Sequence, residues 1–327
     1  MKKINLVFAC LLLYALSGCI NDEAANCTTQ FQLIFDYNIL ESNAINKQVD
    51  RVQLYLFNEN KELTYLLEQE VNPDEKSCIL YTENVLPGKY YAVGIGQSYR
   101  VEGKGHNFIV PNLTFETARL ENLNARLPIE EGNTSSKEIN NFLIGDAGLI
   151  HVDYSNSNLV HLKKVTNKIR IVLLDKDVQT NKEYELSLHE QEGNGWINYN
   201  FLSLPDKPIT YYPYLHQYQE LNHTDTGGDS SYSKAFVAEF SSSKLIATHP
   251  TILDIKEKNS QTVIAQVNIL ELLELGMIAE YSDKWEFQEY LDRRDDFVVS
   301  LFVENDTWLH AQVIINGWII STDDIDL

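Results

Sequence analysis

The 327-residue chain is short of several things at once. It has four cysteines and two methionines, and its 26 lysines and arginines are outnumbered by 47 aspartates and glutamates, for a net charge of −21. So acidic a surface repels the phosphates of nucleic acid, which argues against a nucleic-acid partner. No apolar run reaches the ~18 residues that a transmembrane helix needs. Catalytic signatures are missing as well: there is no Gly-x-Ser-x-Gly elbow, Walker loop or Gly-x-Gly-x-x-Gly. "HEQEG", from His189, begins like a zinc-protease helix, but Gly193 stands where the second histidine must complete the ligand pair. "GIGQSYRVEGKGHNF" (94–108), with Lys104 and His106, does not complete a phosphate loop and reads as a hairpin connection. The eight histidines lack metal-pair spacing, and "DTGGDSS" (225–231) and "DDIDL" (323–327) lack the full ligand series of a calcium loop. We therefore expect no enzyme, no cofactor and no resident metal.

What is present begins at the amino terminus. Lys2 and Lys3 precede the apolar stretch Ile4–Leu16, and Leu16-Ser17-Gly18 leads into Cys19, which is the pattern of a secretory signal. The small residues directly before a cysteine resemble the bacterial lipobox. On that reading residues 1–18 are a lipoprotein signal peptide, and Cys19 receives a diacylglycerol and then an acyl chain at its freed amine. Two or three chains, at about 0.8 kcal/mol per buried methylene, hold a protein on a membrane for practical purposes permanently. Residues 19–27 would then be a lipidated tether, and Asn21, Asp22 and Glu23 resemble the acidic export signal that sends such lipoproteins to the outer face of the outer membrane. Cys10 leaves with the signal, so Cys27 and Cys78 remain, either bridged or as two buried thiols; an exported compartment favours the bridge.

Beyond residue 28 the apolar period is two. Phe31, Leu33, Phe35 and Tyr37 share a face, as do Val52, Leu54 and Leu56, and Ile169, Ile171 and Leu173. Further strands are expected at 78–82, 88–95, 160–166, 183–189, 196–201, 234–240, 262–269, 296–304 and 307–315. Helices are expected only at Ile269–Leu275, ended by Gly276, and at Trp285–Arg293. Strands without long intervening helices predict an all-β fold of two antiparallel sandwiches with short helical insertions in the second. The aperiodic "PIEEGNTSSKEINN" (128–141) places a linker at 128–149, between sandwiches at 28–127 and 150–327. Four tyrosines in "YYPYLHQY" (211–218) offer an aromatic platform for a sugar, or a half-buried strand.

Several segments then fall together. The lipobox, Cys27, "FQLIFDYN", "VDRVQLYLFNENKEL" and "VLPGKYYAVGIG", followed in order by "VTNKIRIVL", "YYPYL", "FSSSKLI" with "PTILDI", "EYLDRRDDFVVSLFV" and "VIINGWII", resemble the fimbrial anchor lipoproteins of the Bacteroidales, the FimB type and its minor-fimbria counterparts. The resemblance implies two transthyretin-like β-sandwiches, no catalysis, and a place at the base of a type V fimbrium. There such a protein holds the shaft, limits its length and has the fimbrillin shaft subunit as partner. Shaft subunits polymerise by strand exchange, in which an exposed edge accepts a strand from a neighbour. The run "WLHAQVIINGWII" could serve that contact through Leu309, Ala311, Val313 and Ile315, or be an ordinary core strand. Shaft subunits are also cut after an arginine that follows the first strand, and Arg51 lies there. Cutting at Arg51 would make the chain a shaft or tip subunit; its position directly against "VQLYLF" places it instead at the start of a strand, shielded from a protease. A carbohydrate-binding lipoprotein using residues 211–218 is the reading from another class.

Overall fold

The computed structural model describes residues 28–99, 105–115, 117–154, 157–175, 183–220, 234–281, 283–304, 307–315 and 318–322. Only the longer strands are numbered here; short ones are named by residue. The first lobe holds β1 (Thr29–Ile34), helix α1 (Ile45–Gln48), β2 (Arg51–Phe57), β3 (Leu63–Glu70), β4 (Cys78–Thr82), β5 (Gly88–Gln97), β6 (Phe142–Val152) and β7 (Ser157–His161). They form two sheets. One is β7–β1–β4, with β1 parallel to β7 and antiparallel to β4; the other is Lys163–Lys164, β6, β5, β2 and β3.

The predicted alternation is visible in β1, where Thr29, Phe31 and Leu33 are buried while Gln30, Gln32 and Ile34 are partly exposed. Phe31 and Leu33 meet Leu54, Leu56, Ala92, Leu143, Val160 and Leu162 in a core between the sheets. β1 stops at Ile34, short of the expected Tyr37, because the Phe35 N–H donates to Asn43 Oδ1 (3.1 Å) and its carbonyl accepts from the Ala44 N–H (2.9 Å). Those groups close a loop instead of extending a ladder.

After His161 the chain leaves one sheet and joins the edge of the other, and the crossing is tight. Gly94 and Gly145 are register partners on β5 and β6, beneath this crossing. A Cβ at Gly145 would overlap the His161 carbonyl oxygen, and one at Gly94 would press on Leu162. Only residues without a Cβ admit backbone this close to a strand.

The second lobe holds β8 (Asn167–Asp175), β9 (Tyr184–Glu190), β10 (Leu215–Glu220), β11 (Lys234–Ser242), β12 (Thr251–Glu257), β13 (Val263–Asn268), α2 (Ile269–Tyr281), α3 (Phe287–Arg293), β14 (Asp296–Glu304), β15 (Thr307–Ile315) and β16 (Trp318–Thr322). One sheet runs β10–β11–β8–β14–β15–β16; the other runs β13–β12–β9, then Ile209–Tyr211 and Thr134–Ser135. The fold is thus mostly β with few helices, as the sequence period predicts. Helix α2 does not stop at Gly276 but continues to Tyr281. Leu272, Leu273 and Met277 are buried along it, and this packing outweighs the roughly 1 kcal/mol that an interior glycine costs.

Sheet pairing departs from the expected division. Residues 128–149 are not a linker: Thr134–Ser135 extends a second-lobe sheet, the Ile139 N–H donates to Ser241 Oγ (3.0 Å), and β6 begins at Phe142. β6 and β7, expected in the second sandwich from residue 150 onward, pair with β5 and β1 of the first. Asn124–Arg126, expected in the first, pairs with Trp196–Asn198 of the second. The chain visits the second lobe before returning to complete the first, and a run such as "FLIGDAGLIHV" hides its strand behind two glycines and a bulge between Asp146 and Leu149.

The two lobes share apolar surface. Tyr55, Phe57, Val93, Ile95, Phe142 and Ile144 turn away from the first core and join one cluster with Ile169, Leu186, Phe240 and Phe297 of the second lobe. At the same junction Tyr37 lies between Lys163 Nζ (4.4 Å) and the Arg293 guanidinium (4.1 Å), and Lys164 pairs with Asp295. We expect Gly145→Ala to destabilise the chain by about 3 kcal/mol or more, seen as a lower urea midpoint, because no backbone can withdraw from the crossing.

Candidate subunit-contact site

The carboxy-terminal strands make an edge. β14 and β15 pair through Phe302–His310, Val303–Trp308 and Glu304–Thr307, and β15 then pairs with β16 from Ala311–Thr322 to Ile315–Trp318. β15 runs back beside β14, and among the described residues β16 is the outer strand, so the β15–β16 ribbon forms the edge of the six-stranded sheet. Leu309 falls in the part joined to β14, while Ala311, Val313 and Ile315 fall in the ribbon. Strand β16 is separate from β15, in keeping with Asn-Gly between two apolar runs, Asn316-Gly317, as the strongest short-range hairpin signal. Such a ribbon offers unpaired backbone to a partner strand.

Arg51 opens β2, which is hydrogen-bonded on both sides, to β3 and to β5. Its guanidinium reaches Glu68 Oε2 at 2.5 Å, a contact that raises its already high pKa, and Glu68 also accepts from Gln53. Just before it, the Asp50 N–H donates to the Gln97 carbonyl (3.2 Å), the Asp50 carbonyl accepts from the Val71 N–H (2.8 Å), and the Asp50 carboxylate accepts from the Tyr99 N–H. A protease must draw several residues into extended form to cut a bond, and here that means opening two ladders.

Cys19 and Cys27 lie outside the described residues. Cys78 is a free thiol facing the first core, and burial pushes its pKa up to about 11. The expected bridge to Cys27 is therefore not formed here. Register gives the reason: Cys78 is opposite Leu33, whereas Thr29, two residues after Cys27, is opposite Thr82, so a bridge requires the chain to double back along β1.

The 211–218 tyrosines divide between buried and exposed positions. Tyr211 is buried, donating to Asn194 Oδ1 (2.6 Å) and accepting from the Ser243 N–H (3.4 Å), and burial raises its pKa strongly. Tyr214 donates to Glu239 Oε2 (2.8 Å), and Tyr218 packs on Phe236. Tyr212 and Tyr218 are exposed, as is Trp196 elsewhere, while Trp285 is buried and stacked on Tyr281.

"HEQEG" falls on strand β9 and its turn, where His189 and Glu190 face opposite sides. His189 Nε2 meets both Ser187 Oγ (3.0 Å) and Asp254 Oδ2 (3.2 Å), and its Nδ1 meets Thr210 Oγ1 (3.0 Å), so the ring is held by neighbours on its own sheet. Among the described residues no three metal-ligating side chains gather; "DTGGDSS" and "DDIDL" lie outside them. His106 is partly buried, which lowers its pKa.

Glu190, by contrast, is fully buried beneath β9. Its Oε2 accepts from Thr251 Oγ1 (2.9 Å), its Oε1 has no partner among the described residues, and burial raises its pKa to about 7. Since the folded-state value lies above the unfolded one, the folded state binds more protons between about pH 4.5 and 7, and stability falls as pH rises through that window. Glu190→Gln is expected to flatten this slope and to gain on the order of 2 kcal/mol at pH 8, read by urea unfolding at both ends of the range. Trypsin added to the native chain is expected to spare the Arg51–Val52 bond while cutting it readily in urea, a difference that mass spectrometry of the fragments reports.

No curated protein matches the chain. Among solved structures it is similar to a candidate adhesin of Bacteroides thetaiotaomicron, with a TM-score of 0.77 and 21% identity over 92% of this chain and 99% of that one. It is similar to candidate polysaccharide-binding proteins of the same species, with a TM-score of 0.72 and 20% identity over 90% and 97%. It is also similar to the fimbrial anchor protein Mfa2 of Porphyromonas gingivalis, with a TM-score of 0.62 and 14% identity over 90% and 98%. These identities speak for the fold alone. The model of the fimbrillin-A associated anchor proteins Mfa1 and Mfa2 matches residues 16–324, nearly the whole chain, and the protein belongs to that family.

Proposed function

We propose that the chain is an outer-membrane lipoprotein that holds a type V fimbrium at the cell surface through the lipids of Cys19, and that takes part in the assembly and length control of the fibre. It acts by binding the fimbrillin shaft subunit, not by catalysis. The transthyretin-like character of both sandwiches and the outward-facing location belong to the same reading.

The observation that carries it is the environment of Arg51. A shaft or tip subunit would be cut there, losing residues 19–51 and with them β1, whose Phe31 and Leu33 fill the first core between β7 and β4. In this chain the bond lies in a strand paired on both sides, which supports retention of β1 and the tether. With the tether at the start of the first lobe, the second lobe is free to present the β15–β16 ribbon to the first shaft subunit.

Metabolic labelling with a fatty acid is expected to mark the wild-type chain and not Cys19→Ala, and the assembled protein is expected to retain residues 19–51. Their loss from fibres would favour the shaft or tip reading. Deleting residues 316–327 is expected to release shaft from cells while the remaining chain stays folded by circular dichroism; undiminished attachment would remove the ribbon from the contact. The sugar-binding reading is supported by the exposed Tyr212 and Tyr218, and glycan binding that disappears in Tyr212→Ala would favour it. Tyr211→Ala is not a clean probe, since it breaks buried hydrogen bonds.

A further inference from the structure

The register of the first lobe fixes where the tether enters it. Gln30, at the start of β1, lies opposite Tyr81 of β4 on one side and Ser157 of β7 on the other, and Thr29 Oγ1 donates to the Val85 carbonyl at 3.3 Å. The connection after β4, the connection before β7 and the first residues of β1 therefore share one pole. The other end of β1 leads into Tyr37, against Arg293, and Ile39, against the second-lobe core. The start of β1 and the Tyr37 contact with the second lobe thus lie at opposite ends of that strand.

That tether pole carries large apolar side chains in the open. Tyr81 is 65% exposed, Leu86 59% and Tyr154 41%. Leu86 follows Val85 in the connection after β4, and Tyr154 lies just past Val152, which is paired with Gly88 at the start of β5. Glu59 pairs with Lys89 at 3.7 Å beside the start of β5, while Glu83, between Tyr81 and Leu86, is exposed.

We propose that this pole is a lipid-contacting surface, with Tyr81, Leu86 and Tyr154 seated in the head-group layer that the tether enters. The inference rests on lipidation of Cys19, proposed above. Nine residues lie between Cys19 and Thr29, ten steps of the chain that span at most about 35 Å when extended, so the pole cannot leave the vicinity of the bilayer. Tyrosine suits that boundary, since its ring is apolar and its hydroxyl stays wet. A contact too weak to recruit a free protein is populated here because the tether makes it intramolecular. The first lobe then stands on the membrane at a defined tilt, and the second lobe points away from it, toward the fibre.

The test uses an environment-sensitive fluorophore, nitrobenzoxadiazole, on single cysteines placed by Tyr81→Cys, Leu86→Cys or, as a control on β13 of the second lobe, Val263→Cys. The background is Cys27→Ser, in which buried Cys78 is shielded. Full-length lipidated protein is reconstituted in phosphatidylcholine vesicles containing a doxyl-labelled lipid. Probes at 81 and 86 are expected to lose about half of their emission, and the probe at 263 to be unchanged. Vesicle-bound protein whose probes at 81 and 86 escape quenching overturns the proposal, as does shielding of those probes by a second copy or a fimbrial subunit without lipid contact. The mass of the N-terminal peptide reports Cys19 acylation separately. Should acylation fail, the Cys19→Ala chain with hexahistidine before Asn21, held on vesicles by a nickel-chelating lipid, gives the same two outcomes for the surface.

Discussion

The sheet formed by β6, β5 and β2 is buried on both faces, and the rest of the molecule is arranged around that fact. One face, through Leu54, Leu56, Ala92 and Leu143, closes the first sandwich; the other, through Tyr55, Val93, Ile95 and Ile144, continues into the core of the second lobe. A sheet with two apolar faces cannot stand in water on either side, so the lobes are joined through packing as well as through chain. The excursion of residues 105–141 follows from this, since something must cover the second face before β6 returns to the sheet. The glycine pair at 94 and 145 lets the chain cross the first face closely enough to leave no void.

The same arrangement gives the molecule a direction. β1 begins at one pole, where the tether joins, and ends at the lobe junction, where Tyr37 is held between Lys163 and Arg293. The carboxy-terminal ribbon forms the edge of the six-stranded sheet of the other lobe. The shared core joins the two lobes stiffly. β1 is the inner strand of its sheet, and the Arg51–Val52 bond that follows it in the chain lies in a strand paired on both sides.

Much of this was legible in the residues, in some places more than others. Period-two alternation located β1, β4, β8 and β14, where one face meets solvent, and apolar runs located β2, β5 and β11, which are buried on both faces. Alternation failed where that contrast is lost: β6 has a bulge and two glycines, and β3 is an edge strand whose side chains are mostly half-exposed. The ribbon's second strand was within reach, since Asn316-Gly317 announces a hairpin, but the surrounding apolar run reads equally well as one long strand. The unequal fates of the four tyrosines in 211–218 could not be read, because composition is the same whether a ring lies over a core or over solvent.

Sequence by itself determined the β class, the acidic surface, the short helices near 269 and 287 and the ordered motifs that mark the family. Each is a local or compositional property, set by a period of two, a cap or a count of charges. Only the tertiary structure decided that residues 142–164 return to the first sandwich, that Cys78 faces a core away from the start of β1, that Glu190 is buried with one oxygen lacking a partner among the described residues, and that Tyr81, Leu86 and Tyr154 are exposed toward the end of the lobe where β1 begins. Those depend on which strands lie side by side, and strand order is a long-range choice made by packing, in which residues more than a hundred positions apart, such as Gln30 and Ser157, become neighbours.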